Sequence, residues 1–464
     1  MGSGLSLLEP PREESQVDYS PGVLPTNRTE FDADRSVSGF TTLILRTDNV
    51  SLVSSLPVDV LSILTREAKG LWSDGRGTIL VAIAGGWFLS IGVRMIYPIL
   101  LPHLRTAYGL DLTTAGFLLT VLFVAYGLGQ FPGGLLADRF GEKAILILSS
   151  TISAGTLVLI VTARSTIVLF VVTALFGVGV ALYAVARYTI LADLYPERVG
   201  AANGVVSGAA DAGQSILPPI AGFLAAGVAW QFGFGFAIPL FALAAVALWL
   251  AVPSHQSESA RNTEPPSLES ARAVLSGLHT PSVVYGTGLL LLGVTVWQAF
   301  TGFYPTYLID EKGLSATLAG VLFGLFFALG VVIQPLSGAA YDRIGVARTL
   351  LFVMGVAAVG LVILTRLESF WPLAAVTVLL SSLLGFATVT QTHLILALPE
   401  DIQGTGFGIL RTISFTVGAI SPVLVGAAAD RGFFDEAFLA LAALAGLTVL
   451  LGLVTPAASG QHSN

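Results

Sequence analysis

The stretch that organises this sequence reads Gly134-Leu-Leu-Ala-Asp138-Arg139-Phe-Gly141-Glu-Lys143, and it recurs as Gly338-Ala-Ala-Tyr-Asp342-Arg343-Ile-Gly345-Val-Ala-Arg348. The two copies lie 204 residues apart. The same offset relates three further pairs, which are Gly204 and Gly408, Pro218 and Pro422, and Gly222 and Gly426. Landmarks that share one register along the whole chain indicate two duplicated units of the same topology.

The composition places most of this chain in lipid. Hydrophobic residues make up 54% of the 464 residues and charged residues only 11%, whereas soluble domains carry about 25% charged residues. A spanning helix needs roughly 20 apolar residues, and that length predicts twelve spans. The first six cover 78–104, 113–136, 144–163, 167–193, 201–227 and 230–252, and the second six cover 283–308, 315–337, 348–366, 371–397, 405–428 and 433–455. We therefore predict an all-α membrane protein with twelve transmembrane helices, arranged as two six-helix bundles related as parallel repeats.

The domain boundaries follow from the polar stretches. Residues 1–72 are polar and proline-rich and predict a mostly disordered cytoplasmic tail, unless the start codon is misassigned. The first bundle covers 73–252, a cytoplasmic linker rich in Ser, Glu and Pro covers 253–282, the second bundle covers 283–456, and a short tail covers 457–464. Basic residues immediately before the first span, Arg66, Lys69 and Arg76, favour an amino terminus inside the cell. We expect a multi-pass plasma or inner membrane protein with both termini cytoplasmic.

Several functional classes are excluded by what the sequence lacks. The chain has no cysteine and its five histidines have no metal-ligand spacing, so no metal site is expected. A net charge of -7 without a basic stripe argues against nucleic acid. No phosphate-binding Gly-x-x-x-x-Gly-Lys-Ser/Thr loop and no paired nucleophile and base occur, so we expect neither an ATP-driven pump nor an enzyme, and no cofactor.

The repeated stretch resembles the signature that the major facilitator superfamily carries between helices 2 and 3, a Gly-x-Leu-Ala-Asp-Arg-x-Gly-Arg-Lys pattern. Glu142 here replaces the first basic residue of the final pair. The segment Asp193-Leu-Tyr-Pro196-Glu197-Arg198 is similar to the family's inner junction between helices 4 and 5. The resemblance covers about residues 75–456. It implies a monomeric secondary transporter that moves a small solute by alternating access, with helices 1, 4, 7 and 10 around a central cavity.

The two loops predict a conformational latch. Their glycines permit close helix approach and a tight turn, and their charges can pair or cap helix ends in one access state and separate in the other. The latch residues are Gly134, Asp138, Arg139, Gly141 and Lys143 in the first copy, and Gly338, Asp342, Arg343, Gly345 and Arg348 in the second.

Polar residues at membrane depth mark a candidate site, because ionisable groups are costly there. Arg94 in helix 1 and Arg187 in helix 4 correspond, through the repeat offset, to Gln298 and Gln391. The resemblance places all four on cavity-lining helices. With aromatic walls added, the predicted substrate-binding residues are Arg94, Tyr97, Arg187, Trp297, Gln298 and Gln391.

Two readings of these arginines remain open. A pair of guanidinium groups with amide donors suits a carboxylate or another oxyanion, because arginine binds such groups bidentately. Alternatively, Arg187 pairs with Asp211 as a structural bridge, and the substrate is neutral or drug-like. Arg411 lies seven residues after Gly404 and is interpreted as snorkelling to the interface.

Asp211 is the candidate for proton coupling, because it is the acidic residue deep within a predicted span. An ion pair with Arg187 would stabilise its charged form and remove that role. The leading hypothesis is therefore a secondary transporter of a small organic or inorganic anion, with proton coupling left open. The alternatives are a proton-coupled multidrug or metabolite exporter, suggested by Gly213, Pro218-Pro219 and Gly222 in helix 5, and more remotely a membrane sensor with a transporter-like body.

Overall fold

The computed structural model describes residues 71–72, 76–253, 280–399 and 403–455, and these residues form helices joined by short turns, without a strand. Most of the predicted tail at 1–72, most of the linker at 253–282 and the tail at 457–464 lie outside the described residues. The predictions made for those three segments therefore stay predictions.

Twelve helical segments are numbered here in chain order, and the first six form the first half of the molecule. α1 is Arg76–Arg94 and Ile96–Tyr108, α2 is Leu112–Phe140, α3 is Glu142–Thr162, α4 is Thr166–Leu194, α5 is Val199–Gly227, and α6 is Trp230–Gly235 and Ala237–Ala251.

The remaining six segments form the second half. α7 is Pro281–Asp310, and α8 is Ala316–Ala328 with the part of Gly330–Leu364 that precedes Gly345. α9 is the part after Gly345, and α10 is Phe370–Leu380, a 3-10 turn at Ser381–Leu384, and Gly385–Ala397. α11 is Gln403–Gly418 and Ser421–Ala429, and α12 is Phe434–Val454.

Ten segments of the described residues are long and apolar enough to cross a membrane. One of them, Ala316–Leu364, is 49 residues long and contains both α8 and α9. α5 is 29 residues long but is not among the ten, because polar residues such as Asn203, Asp211 and Gln214 lower its hydropathy. The predicted number of twelve spans follows when the long segment is divided at Gly345 and α5 is counted as well.

The outer surface of the helices is apolar, as lipid contact requires. Trp371 is 80% exposed and Phe131 is 73% exposed. Monomeric soluble proteins rarely expose so many large apolar side chains to water. The same helices bury their small and aromatic residues against one another.

The repeat read from the sequence is present in the backbone. Gly141 ends α2 with φ of 84°, and Gly345, at the repeat offset, ends α8 with φ of 77°. Such positive φ angles strain any residue with a Cβ atom. Gly109 and Gly313, another pair at the same offset, have φ of 64° and 66°. The two halves thus turn with the same local geometry at matching places.

Helix starts follow the repeat too. Asp111 caps α2 by accepting a hydrogen bond from the Thr114 N–H at 2.7 Å. Ser315, at the matching position, caps α8 by accepting from the Leu318 N–H at 3.3 Å. Short polar side chains at these positions satisfy N–H groups that a helix leaves unpaired at its start.

Proline breaks two helices beside the candidate site. α1 is interrupted at Met95, because Pro98 has no N–H to donate to the Arg94 carbonyl. α11 is interrupted between Gly418 and Ser421, where Pro422 has the same effect on Gly418. Arg94 is therefore the last residue before a break in α1.

The two halves are joined at one end of the molecule. Arg105 at the end of α1 forms an ion pair with Asp310 at the end of α7, with 2.5 Å between nitrogen and oxygen. Asp430 at the end of α11 accepts hydrogen bonds from the N–H groups of Leu112 and Thr113 at the start of α2. This end of the molecule, where α2 begins, is called the clasped end below.

Candidate functional site

Arg94 is buried at the end of the first segment of α1, with 5% of its surface exposed. Its guanidinium lies over the Tyr126 ring, 4.4 Å from the ring centre, and 6.0 Å from the centre of Phe123. Both aromatic residues belong to α2. The Nε atom of Arg94 is buried without a hydrogen-bond partner.

Arg187 is equally buried on α4, with 4% exposure. Its guanidinium lies 4.2 Å from the ring centre of Trp87 and 3.7 Å from that of Tyr188. Trp87 in turn stacks on Tyr183, whose hydroxyl donates to the Ile83 carbonyl at 2.8 Å. The Nε and Nη1 atoms of Arg187 are buried and have no hydrogen-bond partner.

Arg411 brings a third guanidinium to this region from the second half. It donates from Nη1 to the Gln130 amide oxygen at 2.8 Å, and its guanidinium lies 4.9 Å from the ring centre of Phe415. Tyr126 lies close enough to interact electrostatically with Arg94, Arg187 and Arg411 together. The arginine cluster is defined here as Arg94, Arg187 and Arg411 around Tyr126.

The arginine cluster has no acid to balance it. In the described part of the chain, none of its three guanidinium groups forms an ion pair. Burying a charge costs several kcal/mol, and a cation over an aromatic ring recovers about 0.5–2 kcal/mol. The rings cover the faces of the guanidinium groups, while the planar edges carry the N–H donors that bind an oxyanion. The arrangement is suited to receive a negatively charged group.

Asp211 lies on α5 and is engaged elsewhere. Its carboxylate accepts from Gln214 on its own helix at 3.3 Å and from Gln334 on α8 at 3.2 Å. The described contacts of Asp211 and Arg187 thus give no bridge between them, which disfavours the structural-bridge reading in this conformation. Asp211 instead joins the two halves through an amide.

Of the other predicted substrate-binding residues, two have packing roles. Tyr97 is fully buried, with its ring 4.9 Å from Phe234 and 5.8 Å from Phe176. Gln298 is 1% exposed, and its amide donates to the Phe415 carbonyl at 3.2 Å, beside the break in α11. The Tyr97 hydroxyl and the Gln298 amide oxygen are buried without a hydrogen-bond partner, and the predicted contact of these two residues with the substrate stays a prediction.

For the last two predicted residues, Trp297 and Gln391, substrate contact stays a prediction. Trp297 is half-buried and packs against the hydrophobic core. Gln391 is half-buried on α10. The structure therefore brings together Arg94 and Arg187 of the predicted set, and adds Tyr126, Gln130 and Arg411, which are not among the predicted substrate-binding residues.

The predicted latch residues lie at the end of the molecule opposite the clasped end, where α2 and α8 finish. Asp138, Arg139, Asp342 and Arg343 are exposed. Arg139 lies 5.3 Å from the ring centre of its neighbour Phe140. Gly134 of α2 faces Val185 of α4, and Gly338 of α8 faces Thr388 of α10, each with room for an added Cβ at about van der Waals contact. Lys143 is half-buried and Arg348 exposed.

Comparison with known proteins gives a consistent family and fold. A family model described as Major Facilitator Superfamily matches residues 82–387 and 297–463. A probable sulfoacetate transporter of Cupriavidus necator is 25% identical over 409 residues, covering 82% of this chain and 93% of that protein. A 2-nitroimidazole transporter of Escherichia coli is 28% identical over 398 residues, covering 81% and 95%. The crystal structure of a variant of the nucleoside transporter NupG has a similar fold, with a TM-score of 0.70 at 12% identity, covering 81% of this chain and 99% of that one.

Proposed function

The chain belongs to the major facilitator superfamily, and on that premise we propose that it is a secondary transporter of small organic anions. Membership makes it a multi-pass membrane transporter of a small molecule. The anion, the coupling to protons and the direction of transport are the proposal. In it, the solute binds between the halves, which open alternately to either side of the membrane.

The observation that carries the proposal is the arginine cluster. Three guanidinium groups interact electrostatically with Tyr126, Arg94 lies over its ring, and Arg94 and Arg187 have buried N–H groups that lack a partner. A buried N–H donor without an acceptor costs free energy, and a carboxylate or sulfonate group of the solute would accept hydrogen bonds from these donors. Arg94 and Arg187 approach it from the first half.

The relatives lend support without deciding the solute. Sulfoacetate, named for the Cupriavidus necator relative, carries a carboxylate and a sulfonate. The Escherichia coli relative is named for 2-nitroimidazole, which favours the second candidate, an exporter of neutral drug-like compounds. The unbalanced positive charge of the arginine cluster favours the anion.

Proton coupling is proposed through Asp211. The carboxylate bonds to amides of both halves through Gln214 and Gln334, so a change in its protonation alters a contact that must break and reform during alternating access. We place the two functional units at 73–252 and 283–456, in the cell membrane with cytoplasmic termini, in a monomeric protein.

The test is anion binding to the purified full-length protein and uptake into proteoliposomes. Arg94→Gln and Arg187→Gln should each weaken anion binding by more than about tenfold, since a hydrogen bond to a charged group is worth about 1.5–3 kcal/mol. Arg→Lys should rescue only in part, because an ammonium lacks the planar fork. Unchanged anion binding in both Gln variants, or preferential uptake of neutral compounds by the wild type, would contradict the proposal that the substrate is an anion.

A double variant separates the anion site from the structural bridge. If Arg187 only neutralises Asp211, then Arg187→Gln combined with Asp211→Asn should recover the activity that each single change loses. We expect no recovery, because the Asp211 carboxylate bonds to two glutamines while Arg187 lies on aromatic rings. Full recovery would remove Arg187 from the anion site.

A further inference from the structure

We propose that the transported solute is a dianion with two separate acidic groups, and that Arg411 of the second half binds one of them. This inference rests on the proposed anion transport and extends it to the charge of the solute. It also adds a specificity-determining residue, on α11, to the pair on α1 and α4.

The charge of the site favours two acidic groups over one. Arg94, Arg187 and Arg411 all act on Tyr126, and in the described part of the chain none of the three has a carboxylate partner. A monoanion would leave a net charge of two on the three arginines, of which Arg94 and Arg187 are buried and Arg411 is half-buried, and electrostatic interactions are weakly screened at buried positions. A dianion compensates more of the charge and leaves fewer donors unpaired.

The position of each arginine divides the site between the halves. Arg94 and Arg187 have aromatic faces against them and free N–H edges in the first half. Arg411 lies on α11 and reaches across to Gln130 of α2. A solute with an acidic group at each end therefore contacts both halves at once, whereas a monoanion held by Arg94 and Arg187 contacts one.

The present partner of Arg411 is replaceable. Its guanidinium bonds to the neutral amide oxygen of Gln130, whereas a carboxylate or sulfonate carries a full negative charge and can accept two parallel N–H bonds from one guanidinium. The second acidic group would take the place of the Gln130 oxygen. Gln130 then serves as the resting partner of Arg411 and stays outside the coordination of the anion.

The experiment compares anions that share a skeleton and differ in charge. Binding to full-length protein in lipid nanodiscs is measured by calorimetry for two pairs, sulfoacetate with methanesulfonate and succinate with propionate. At least one dianion should bind more than about tenfold tighter than its monoanion. Arg411→Gln should weaken dianion binding far more than monoanion binding and so remove that preference, and Arg411→Lys should keep part of it.

Gln130→Ala is the matched control for a purely structural role of Arg411. If Arg411 only ties α11 to α2, the loss of Gln130 should weaken dianion binding as much as Arg411→Gln does, and that result would overturn the proposal. We expect dianion binding in Gln130→Ala to be kept or strengthened. If the dianion and the monoanion of each pair bind with equal affinity, the proposal of a dianionic solute is wrong, while the proposed anion transport still stands. If neither pair binds to the wild type, the proposed anion transport fails with it.

Discussion

The carboxylate of Asp430, at the end of α11, caps the first turn of α2 by accepting hydrogen bonds from the backbone N–H and the hydroxyl of Thr113, at 2.7 and 2.5 Å. A third bond comes from the Leu112 N–H at 2.8 Å. An anion is stabilised at a helix start, where free N–H groups and the helix dipole favour it. The repeat places Ala226 at the matching position of the first half, so this cap has no counterpart there.

Asp430→Ala should open the clasped end. The variant loses hydrogen bonds to a charged group, each worth about 1.5–3 kcal/mol, and these bonds join the two halves in the present conformation. The chain contains no cysteine, so spin labels can be attached to cysteines introduced at the exposed positions Ala107 and Glu311. Pulsed electron paramagnetic resonance should show a larger population of long distances in Asp430→Ala than in the parent.

Asp430→Asn is the graded control, because its amide oxygen still accepts a hydrogen bond but carries no charge. It should lie between the parent and Asp430→Ala. Identical distance distributions in all three proteins would mean that the ion pair between Arg105 and Asp310 and the helix packing hold this end without the cap.

Glycines pack the halves together at the clasped end in a pattern that follows the repeat. A Cβ atom on Gly116 of α2 would lie 2.5 Å from the Pro422 carbonyl oxygen and 2.9 Å from Val423 Cα of α11. At the matching place, a Cβ atom on Gly320 of α8 would lie 3.3 Å from Pro219 Cα of α5. Backbone atoms cannot move aside as a side chain can, so these helices approach closely only with glycine.

Gly116→Ala should therefore destabilise the clasped conformation by about 1–3 kcal/mol, the usual cost of overpacking, and lower transport turnover. The matched control is Gly155→Ala in α3, where an added Cβ meets nothing within 4 Å. That change should be neutral or slightly stabilising, since alanine favours helix over glycine by about 1 kcal/mol. The measurements are thermal unfolding and transport turnover of both variants. Equal stability and turnover of Gly116→Ala and Gly155→Ala would contradict the close-packing role of Gly116.

The fold could be predicted because its signals are local. Long apolar runs gave the spans, and the offset of 204 residues gave the duplication, which the positive φ of Gly141 and Gly345 confirms. α5 was predicted at 201–227 and is helical over Val199–Gly227. The helix breaks are harder to predict from the sequence, because a proline within an apolar run does not change the length of that run.

The site was predicted only in part, because side-chain direction depends on those breaks. Tyr97 follows Arg94 by three residues, which in a continuous helix places both on one face. The interruption at Met95 ends that relation, and Tyr97 packs into an aromatic core. The interpretation of Arg411 as snorkelling to the interface rests on its depth along its own helix, seven residues after Gly404. Its guanidinium instead meets Gln130, a contact between halves that no local pattern encodes.

The loop carrying Asp138 should act on the rate of conformational exchange. In this conformation the Asp138 side chain is exposed, and in the described part of the chain it forms no ion pair. Contacts that serve as a latch must then form when the clasped end opens and the end that carries this loop closes. Asp138→Asn should slow transport while solute affinity stays unchanged. The binding site sets the affinity, whereas this loop acts on the rate at which the two access states interconvert. Turnover in proteoliposomes and equilibrium binding measure the two separately.

Asp138→Glu keeps the charge and is the control for that prediction; it should retain more turnover than Asp138→Asn. Normal turnover of Asp138→Asn would remove the latch role, and a loss confined to affinity would move the residue into the binding site. The two latch loops also test the orientation. Single cysteines at the exposed neighbours Phe140 and Arg343 should resist an impermeant maleimide in intact cells and react in inverted vesicles.

Asp211→Asn should uncouple transport from the pH gradient without stopping solute exchange. Both glutamines donate to the carboxylate, and the asparagine can keep the contact between α5 and α8 when one glutamine turns its amide oxygen toward the new NH2 group, but the side chain can no longer gain or lose a proton. Counterflow of labelled anion, which needs no driving force, should persist, whereas accumulation driven by an imposed pH gradient should be lost. Gln334→Leu keeps the carboxyl group but removes the contact with the second half through which its protonation acts, so it should also lower gradient-driven accumulation. Accumulation by Asp211→Asn at the parent level would show that the coupling proton is carried by another group.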